Sequence, residues 1–244
     1  MKQRLDKLMW QRGLAPTRSQ AESWIRLGKV TVDGKTVTKP GYFASESAEI
    51  SLNASAQYVS RAGLKLASVA EKFALNFAEK IVLDVGSSTG GFTDFALQHG
   101  AKKVIAVDVG TDQLHPKLRR DARVELHEKT DIRDFSSDET LDIVVIDVSF
   151  ISLRQVLPSV AALSGANTQI VAMVKPQFEA ERRQLSSSGV IKNDTVRRQI
   201  LRDFELWARQ FFVIANKADS EVKGAHGNQE RFYVLKKVSG VYKD

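Results

Sequence analysis

Two ionisable residues close apolar runs of strand length in this chain. Lys175 follows the run 169–174 and precedes Pro176, and Asp147 ends the run 141–147. A lysine that ends an apolar run and is followed by proline is hard to explain as packing. Adjacent strands lie ~4.8 Å apart, so side chains at the ends of neighbouring strands can converge on one rim. An amine there suits a hydroxyl acceptor, which is a poor nucleophile at neutral pH until its proton is held or removed.

The element that would position a second reactant lies upstream. Residues 81–85 form an apolar run ending in Gly86-Ser87-Ser88-Thr89-Gly90-Gly91, after which Phe92, Phe95 and Ala96 continue at helical spacing. A strand passing through a glycine-rich turn into a helix opens a doubly wound α/β sheet. Ligands bind at such turns because backbone approaches closely at glycine and the helix offers free N–H groups. Runs at 103–108, near 124–126, at 141–147 and at 169–175 supply further strands, several ending in a polar residue. A P-loop reading fails because Phe92-Thr93 stands where Lys-Ser or Lys-Thr is required. A nicotinamide-binding turn needs G-x-G-x-x-G, and the middle glycine is absent. S-adenosylmethionine fits better, having an amino-acid end, a sulfonium and a ribose but no phosphate. Asp84 is placed to orient its amino group directly or through water, and Asp108, 22 residues after Gly86, to accept both ribose hydroxyls. Asp131 follows the third strand and can meet the adenine amino group. The predicted cofactor contacts are Asp84, Gly86, Ser87, Ser88, Gly90, Gly91, Phe92, Asp108, Val109, Asp131 and Asp147.

The acceptor is narrowed by what is missing. No Pro-Pro pair follows Asp147, as a loop gripping an exocyclic amine would have, and the cysteine count is zero. That excludes pyrimidine C5 methylation, disulfides and thiolate metal sites together. An alkyl hydroxyl remains, such as a ribose 2′-OH. No apolar run approaches the ~18 residues of a membrane span, and no apolar core follows the basic start as in a signal peptide. A cytoplasmic protein, with no metal and no membrane partner, is the expectation.

Charge is unevenly placed. Residues 1–40 hold nine basic and three acidic side chains, so +6 of the net +7 lies there. Such a module is either a polyanion-binding surface or a solvated, solubilising one. Its pattern favours the first. Leu5, Leu8 and Met9 recur at helical spacing until Gly13. Thr17 is placed to cap a second helix, with Gln20 completing a capping box, which would bury Ala21, Trp24 and Ile25 and end at Gly28. Residues 30–32, Asp33-Gly34 and 35–37 then read as a hairpin. Arg4, Lys7, Arg18, Arg26 and Lys29 are the candidate RNA-binding residues. Arg4-Leu5-Asp6, Thr17-Arg18-Ser19-Gln20-Ala21, Gly28-Lys29-Val30 and Val32-Asp33-Gly34 resemble the alpha-L RNA-binding module of ribosomal protein S-four. Small polar residues at 51–57 read as a linker, giving domains at 1–57 and 58–244.

Across nearly its whole length the chain resembles the TlyA family of rRNA 2′-O-methyltransferases, whose larger domain is similar to the FtsJ family. The most specific stretches are Asp147-Val148-Ser149-Phe150-Ile151-Ser152-Leu153 and Lys175-Pro176-Gln177-Phe178-Glu179, with Ser60-Arg61, Leu64-Lys65-Leu66 and Gly227-Asn228 adding to them. The resemblance implies a Rossmann-like methyltransferase sheet behind a small α+β RNA-binding domain. It also implies S-adenosylmethionine as cofactor and a catalytic tetrad of Lys65, Asp147, Lys175 and Glu230. Its implied substrate is a cytidine ribose in ribosomal RNA, with the ribosomal subunit as partner. Two alternatives stay open: a non-catalytic RNA-binding or ribosome-assembly protein, and the haemolysin that family members are often labelled.

Overall fold

The structure, a computed structural model, describes residues 2–15, 18–26, 28–52, 58–186, 189–191, 193–224 and 227–238. The chain divides into two compact units, Met1–Arg61 and Ala62–Asp244.

In the smaller unit, helices α1 (Leu5–Gln11) and α2 (Arg18–Arg26) pack together. Their apolar stripes meet in a core of Leu5, Leu8, Met9, Ala21, Trp24 and Ile25, closed by Val30 and Val32. Strand β2 (Val30–Val32) turns through Asp33 and Gly34 into β3 (Lys35–Thr36). Both turn residues have positive φ, 49° and 74°, as a two-residue hairpin with right-twisted strands requires. Gly28 takes φ 68° where α2 has ended. Thr17 and the Gln20 side chain, the expected capping box, lie outside the described residues, as does the Arg26 side chain. Two features were not foreseen. Strand β1 (Lys2–Arg4) pairs antiparallel with β4 (Phe43–Ser45), and β5 (Ile50–Leu52) pairs with β2. The expected linker therefore begins with a strand, because Ile50 and Leu52 pack on the core.

The larger unit starts within α3 (Arg61–Ala70), at Ala62, and is built on one seven-stranded sheet. Its strands are β6 (Ile81–Val85), β7 (Lys103–Val107), β8 (Val124–His127), β9 (Ile143–Ile146), β10 (Gln169–Val174), β11 (Phe212–Asp219) and β12 (Arg231–Lys237). They lie in the order β11-β12-β10-β9-β6-β7-β8. Strands β6 to β10 are parallel, and β12 runs antiparallel to both its neighbours. The central strands are buried throughout, which is why they read as unbroken apolar runs rather than alternating ones. Helix α4 (Gly91–Gln98) packs on β6 and β7, and α5 (Asp194–Ala208) on β11. Among the described residues, no helix is long and apolar enough to cross a membrane.

The chain runs from β6 out to β8 and then returns to the other side of β6 as β9. Connections thus diverge between β6 and β9, the place where open α/β sheets leave a crevice at their carboxyl ends. Gly86 sits at that divergence with φ 79°, and a Cβ there would stand 2.8 Å from the Asp147 carbonyl oxygen. Gly86→Ala is expected to cost about 1–3 kcal/mol through backbone strain and this contact. A denaturant midpoint equal to wild type would show that the junction yields.

Candidate active site

Four ionisable side chains gather at the carboxyl rim. Strands β9 and β10 pair in parallel with Ala172 opposite Ile146, so Asp147 leaves the sheet level with Met173, two residues before Lys175 on the same rim. Lys175 Nζ lies 2.6 Å from Asp147 Oδ1 and donates to Ser149 Oγ at 2.7 Å. On its other flank β12 runs antiparallel with Arg231 opposite Val174, so one more step of that register sets Glu230 beside Lys175. Glu230 Oε2 pairs in turn with Lys65 Nζ of α3 at 2.6 Å. Lys65, Lys175 and Glu230 are all buried. Desolvating such charges is costly unless each is partnered, and here each is.

Beside Asp147 a cavity of about 350 Å³ opens over the β6–β9 divergence. Of the predicted cofactor contacts, Gly86, Ser88, Asp108, Val109, Asp131 and Asp147 line it. Asp108 is already engaged, accepting from Ser88 N (2.8 Å) and Gly110 N (2.6 Å), which ties the two nucleotide-side loops together. Asp131 holds Arg133 through both oxygens, at 2.9 and 2.6 Å. Val109 is 70% exposed at the cavity's edge.

The other predicted contacts lie elsewhere. Asp84, Ser87, Gly90, Gly91 and Phe92 do not line the cavity. Gly90 is the N-cap of α4 at φ 91°, with Leu114 and Leu118 against it, and Phe92 is buried against Phe232. Phe92 follows the glycine turn, but its helical phase turns it into the core. Three side chains at this site were missed by sequence reasoning. Ser149 holds Lys175, Phe150 lines the cavity while 92% exposed, and Phe178 packs on Phe150 with Lys175 Nζ 5.9 Å from its ring centre. The available signal was their place in the two most specific stretches, 147–153 and 175–179. Glu179 staples these stretches together, accepting from Ser152 Oγ (2.6 Å) and Leu153 N (2.7 Å).

In the smaller unit the predicted RNA contacts Lys7 and Lys29 are exposed. Arg4 and Arg18 both bind the buried Asp6, with Arg4 Nε at 3.0 Å and an Arg18 terminal nitrogen at 2.7 Å. Burial opposes ionisation of Asp6, but the hydrogen bonds from Arg4 and Arg18 outweigh it and hold the carboxyl at about 2.

The FtsJ-like methyltransferase family model matches residues 58–237, and the S4 domain model matches residues 3–50. "Hemolysin A" of Brachyspira hyodysenteriae is 40% identical over 232 residues, covering 93% of this chain and 97% of that one. The "16S/23S rRNA (cytidine-2'-O)-methyltransferase TlyA" of Mycobacterium tuberculosis is 36% identical over 249 residues, covering 96% and 89%. This chain belongs to the TlyA family. Among solved structures, "Putative hemolysin from Streptococcus thermophilus" superposes with a TM-score of 0.74 at 38% identity, covering 98% of this chain and 89% of that one. The sheet of this TlyA-family chain is the Rossmann-like methyltransferase sheet, and its smaller unit carries the S4 domain.

The family implies S-adenosylmethionine, and the residues behind the glycine loop fit it. Asp84 is buried next to the end of β6, where one carboxyl oxygen accepts from Thr93 Oγ1 at 2.6 Å. Its other oxygen, and the neighbouring Ser87 hydroxyl, are buried without a hydrogen-bond partner among the described residues. Unsatisfied acceptors of this kind suit a ligand that brings donors. Among the described residues there is no cluster able to hold a metal ion.

Burial raises the Asp84 carboxyl to about 7; the Thr93 hydrogen bond opposes this, and the charges of Asp147 and Asp108 add to it. A carboxyl raised on folding binds its proton more tightly folded than unfolded. The fold therefore loses stability as pH climbs from the ordinary carboxylate range toward 7, and the loss levels off above that. Relative to wild type, Asp84→Asn is expected to gain stability steadily between pH 5 and about 7 in thermal melts without cofactor. A constant difference across that window would contradict the assignment.

Proposed function

We propose that this protein methylates a ribose 2′-hydroxyl, that of a cytidine, in ribosomal RNA, with S-adenosylmethionine as methyl donor. The observation that carries the proposal is the Lys175–Asp147 pair, 2.6 Å apart at the strand ends and set beside the cavity over Gly86. The name of the mycobacterial relative supports cytidine and ribosomal RNA as substrate. Residues 1–57 serve as the RNA-binding module and 58–244 as the methyl-transfer domain, working in the cytoplasm on the RNA of a ribosomal subunit.

The cofactor supplies an electrophilic methyl group on a positively charged sulfur. Asp108 and Asp131 would hold its ribose and adenine, Gly86, Ser88 and Val109 would shape its bed, and Asp84 with Ser87 would face its amino group. Lys175 is nearest the acceptor hydroxyl. Lys175 acts as a neutral amine once its resting ammonium has given a proton to solvent; as the oxygen gains the methyl carbon, the hydroxyl proton passes to that amine, and the adjacent Asp147 carboxylate stabilises the ammonium so re-formed. Glu230 and Lys65 complete the rim and fix the lysine's field. The whole assembly is a positioning device, since in-line transfer depends on where oxygen and methyl are held.

Lys175→Ala is expected to lower methyl transfer to ribosomal RNA at least about 100-fold, as loss of a general base does. Its cofactor affinity, read by calorimetry, should stay within about twofold of wild type. Turnover at the wild-type rate would remove the mechanism. Asp108→Ala should instead weaken cofactor binding about 10-fold or more, the worth of hydrogen bonds to a charged acceptor. Mapping 2′-O-methyl marks in ribosomal RNA from cells with and without the protein tests the substrate itself.

A further inference from the structure

We propose that Phe43 is a stacking platform for an unpaired RNA base, set beside a phosphate-gripping pair formed by Arg4 and Arg18. The inference rests on the RNA-binding role of the smaller unit and adds the kind of RNA it selects.

Phe43 stands directly opposite Arg4 across the β1–β4 ladder, so the two side chains share one face. That face is the outer one, for Phe43 is 59% exposed whereas the next residue, Ala44, is buried at 2%. Tyr42 beside it is 43% exposed, and Lys2 lies on the same face of β1, two residues from Arg4. Other apolar residues of β4 and the helices fill the unit's core, so this ring is left in water by the fold.

The cationic part is built. Arg4 meets both oxygens of Asp6 at 3.0 Å, Arg18 meets one at 2.7 Å, and Asp6 is wholly buried. Each guanidinium keeps nearly half its side chain in solvent, 46% and 48%, while its position is fixed from below. Glu22 approaches Arg4 only at 4.0 Å. A guanidinium has five donors, so both arginines keep N–H groups for an outside acceptor. Gly41 runs beside the Arg4 head, 3.9 Å from a notional Cβ, which brings the aromatic segment up to the charge. Fixed cations for phosphate next to an exposed ring for a base face are what single-stranded or bulged RNA is recognised by. A paired stem hides its base faces and would use the arginines alone.

The test uses the full chain and two labelled RNA hairpins, one with a single unpaired adenine in its stem and one fully paired. Wild type is expected to prefer the bulged hairpin. Phe43→Ala should lose about 5- to 100-fold in affinity for it, as removal of a stacked base does, and bind the paired hairpin as before. Its salt dependence should not change, because no phosphate contact is lost. Phe43→Trp should keep the preference, whereas Phe43→Leu should lose it. Arg4→Ala and Arg18→Ala should each weaken both RNAs and flatten the salt dependence. Equal affinity of Phe43→Ala and wild type for the bulged hairpin, or full retention by Phe43→Leu, overturns the stacking role. If the two arginine variants also bind as wild type, the RNA-binding role of the unit fails as well.

Discussion

An ammonium group withdrawn from water at the end of a strand has to be neutralised where it stands, and the architecture of the larger unit meets that demand at Lys175. Parallel neighbours finish at the same edge of a sheet, so β9 delivers Asp147 beside the end of β10 with no long loop between them. An antiparallel neighbour begins at that edge, so β12 delivers Glu230 to the other flank from its starting end. Glu230 in turn takes Lys65 from α3 as its own partner. Two cations and two anions are thereby balanced in a buried row. Removing any one leaves a desolvated charge without its partner, which is more costly than the pair itself is stabilising.

The same geometry explains which residues were legible in the sequence. Asp147 and Lys175 could be found because strand ends can be read from where an apolar run stops. Lys65 and Glu230 could not be found that way. Their meeting depends on the reversed direction of β12 and on a helix that precedes the sheet, and neither leaves a local spacing; only the family resemblance brought them in. The glycine turn was legible as the passage from strand to helix, but of its residues only Gly86 and Ser88 line the cavity. Gly90 and Phe92 serve the packing of α4, because a helix entering from such a turn immediately directs side chains inward. Strand β11 escaped notice because it is an edge strand with mostly exposed side chains and a register shift between Ile214 and Asn216, which blurs its alternation. Strand β1 is three polar residues, Lys2-Gln3-Arg4, and only its pairing with β4 makes it a strand.

Three carboxylates bear on the crevice from consecutive strands of the sheet: Asp147 after β9, Asp84 within β6 and Asp108 after β7. Burial of Asp84, with the charges of Asp147 and Asp108 adding to it, holds that group's proton on toward neutral pH. A field of this sign disfavours an anionic ligand and favours a cationic one, which agrees with the failure of both phosphate-binding readings of the loop. Asp108 accepts from two backbone N–H donors, those of Ser88 and Gly110. Those donors also fix the loops that shape the cavity, so the acid that would hold a ribose is positioned before any ligand arrives.

The smaller unit uses a buried carboxylate for a different end. Asp6 lies in the first turn of α1, where the helix dipole favours an anion, and it draws in Arg4 from β1 and Arg18 from α2. A net positive module would otherwise push its own arginines apart. One buried acid converts that repulsion into a fixed spacing, and it is held ionised far below neutral pH by the cations it organises. The chain's charge is therefore sorted by task. Its excess sits on a small unit where cations are aimed outward by an acid beneath them, while the large, nearly neutral unit keeps its decisive cations buried, paired and close to the cavity.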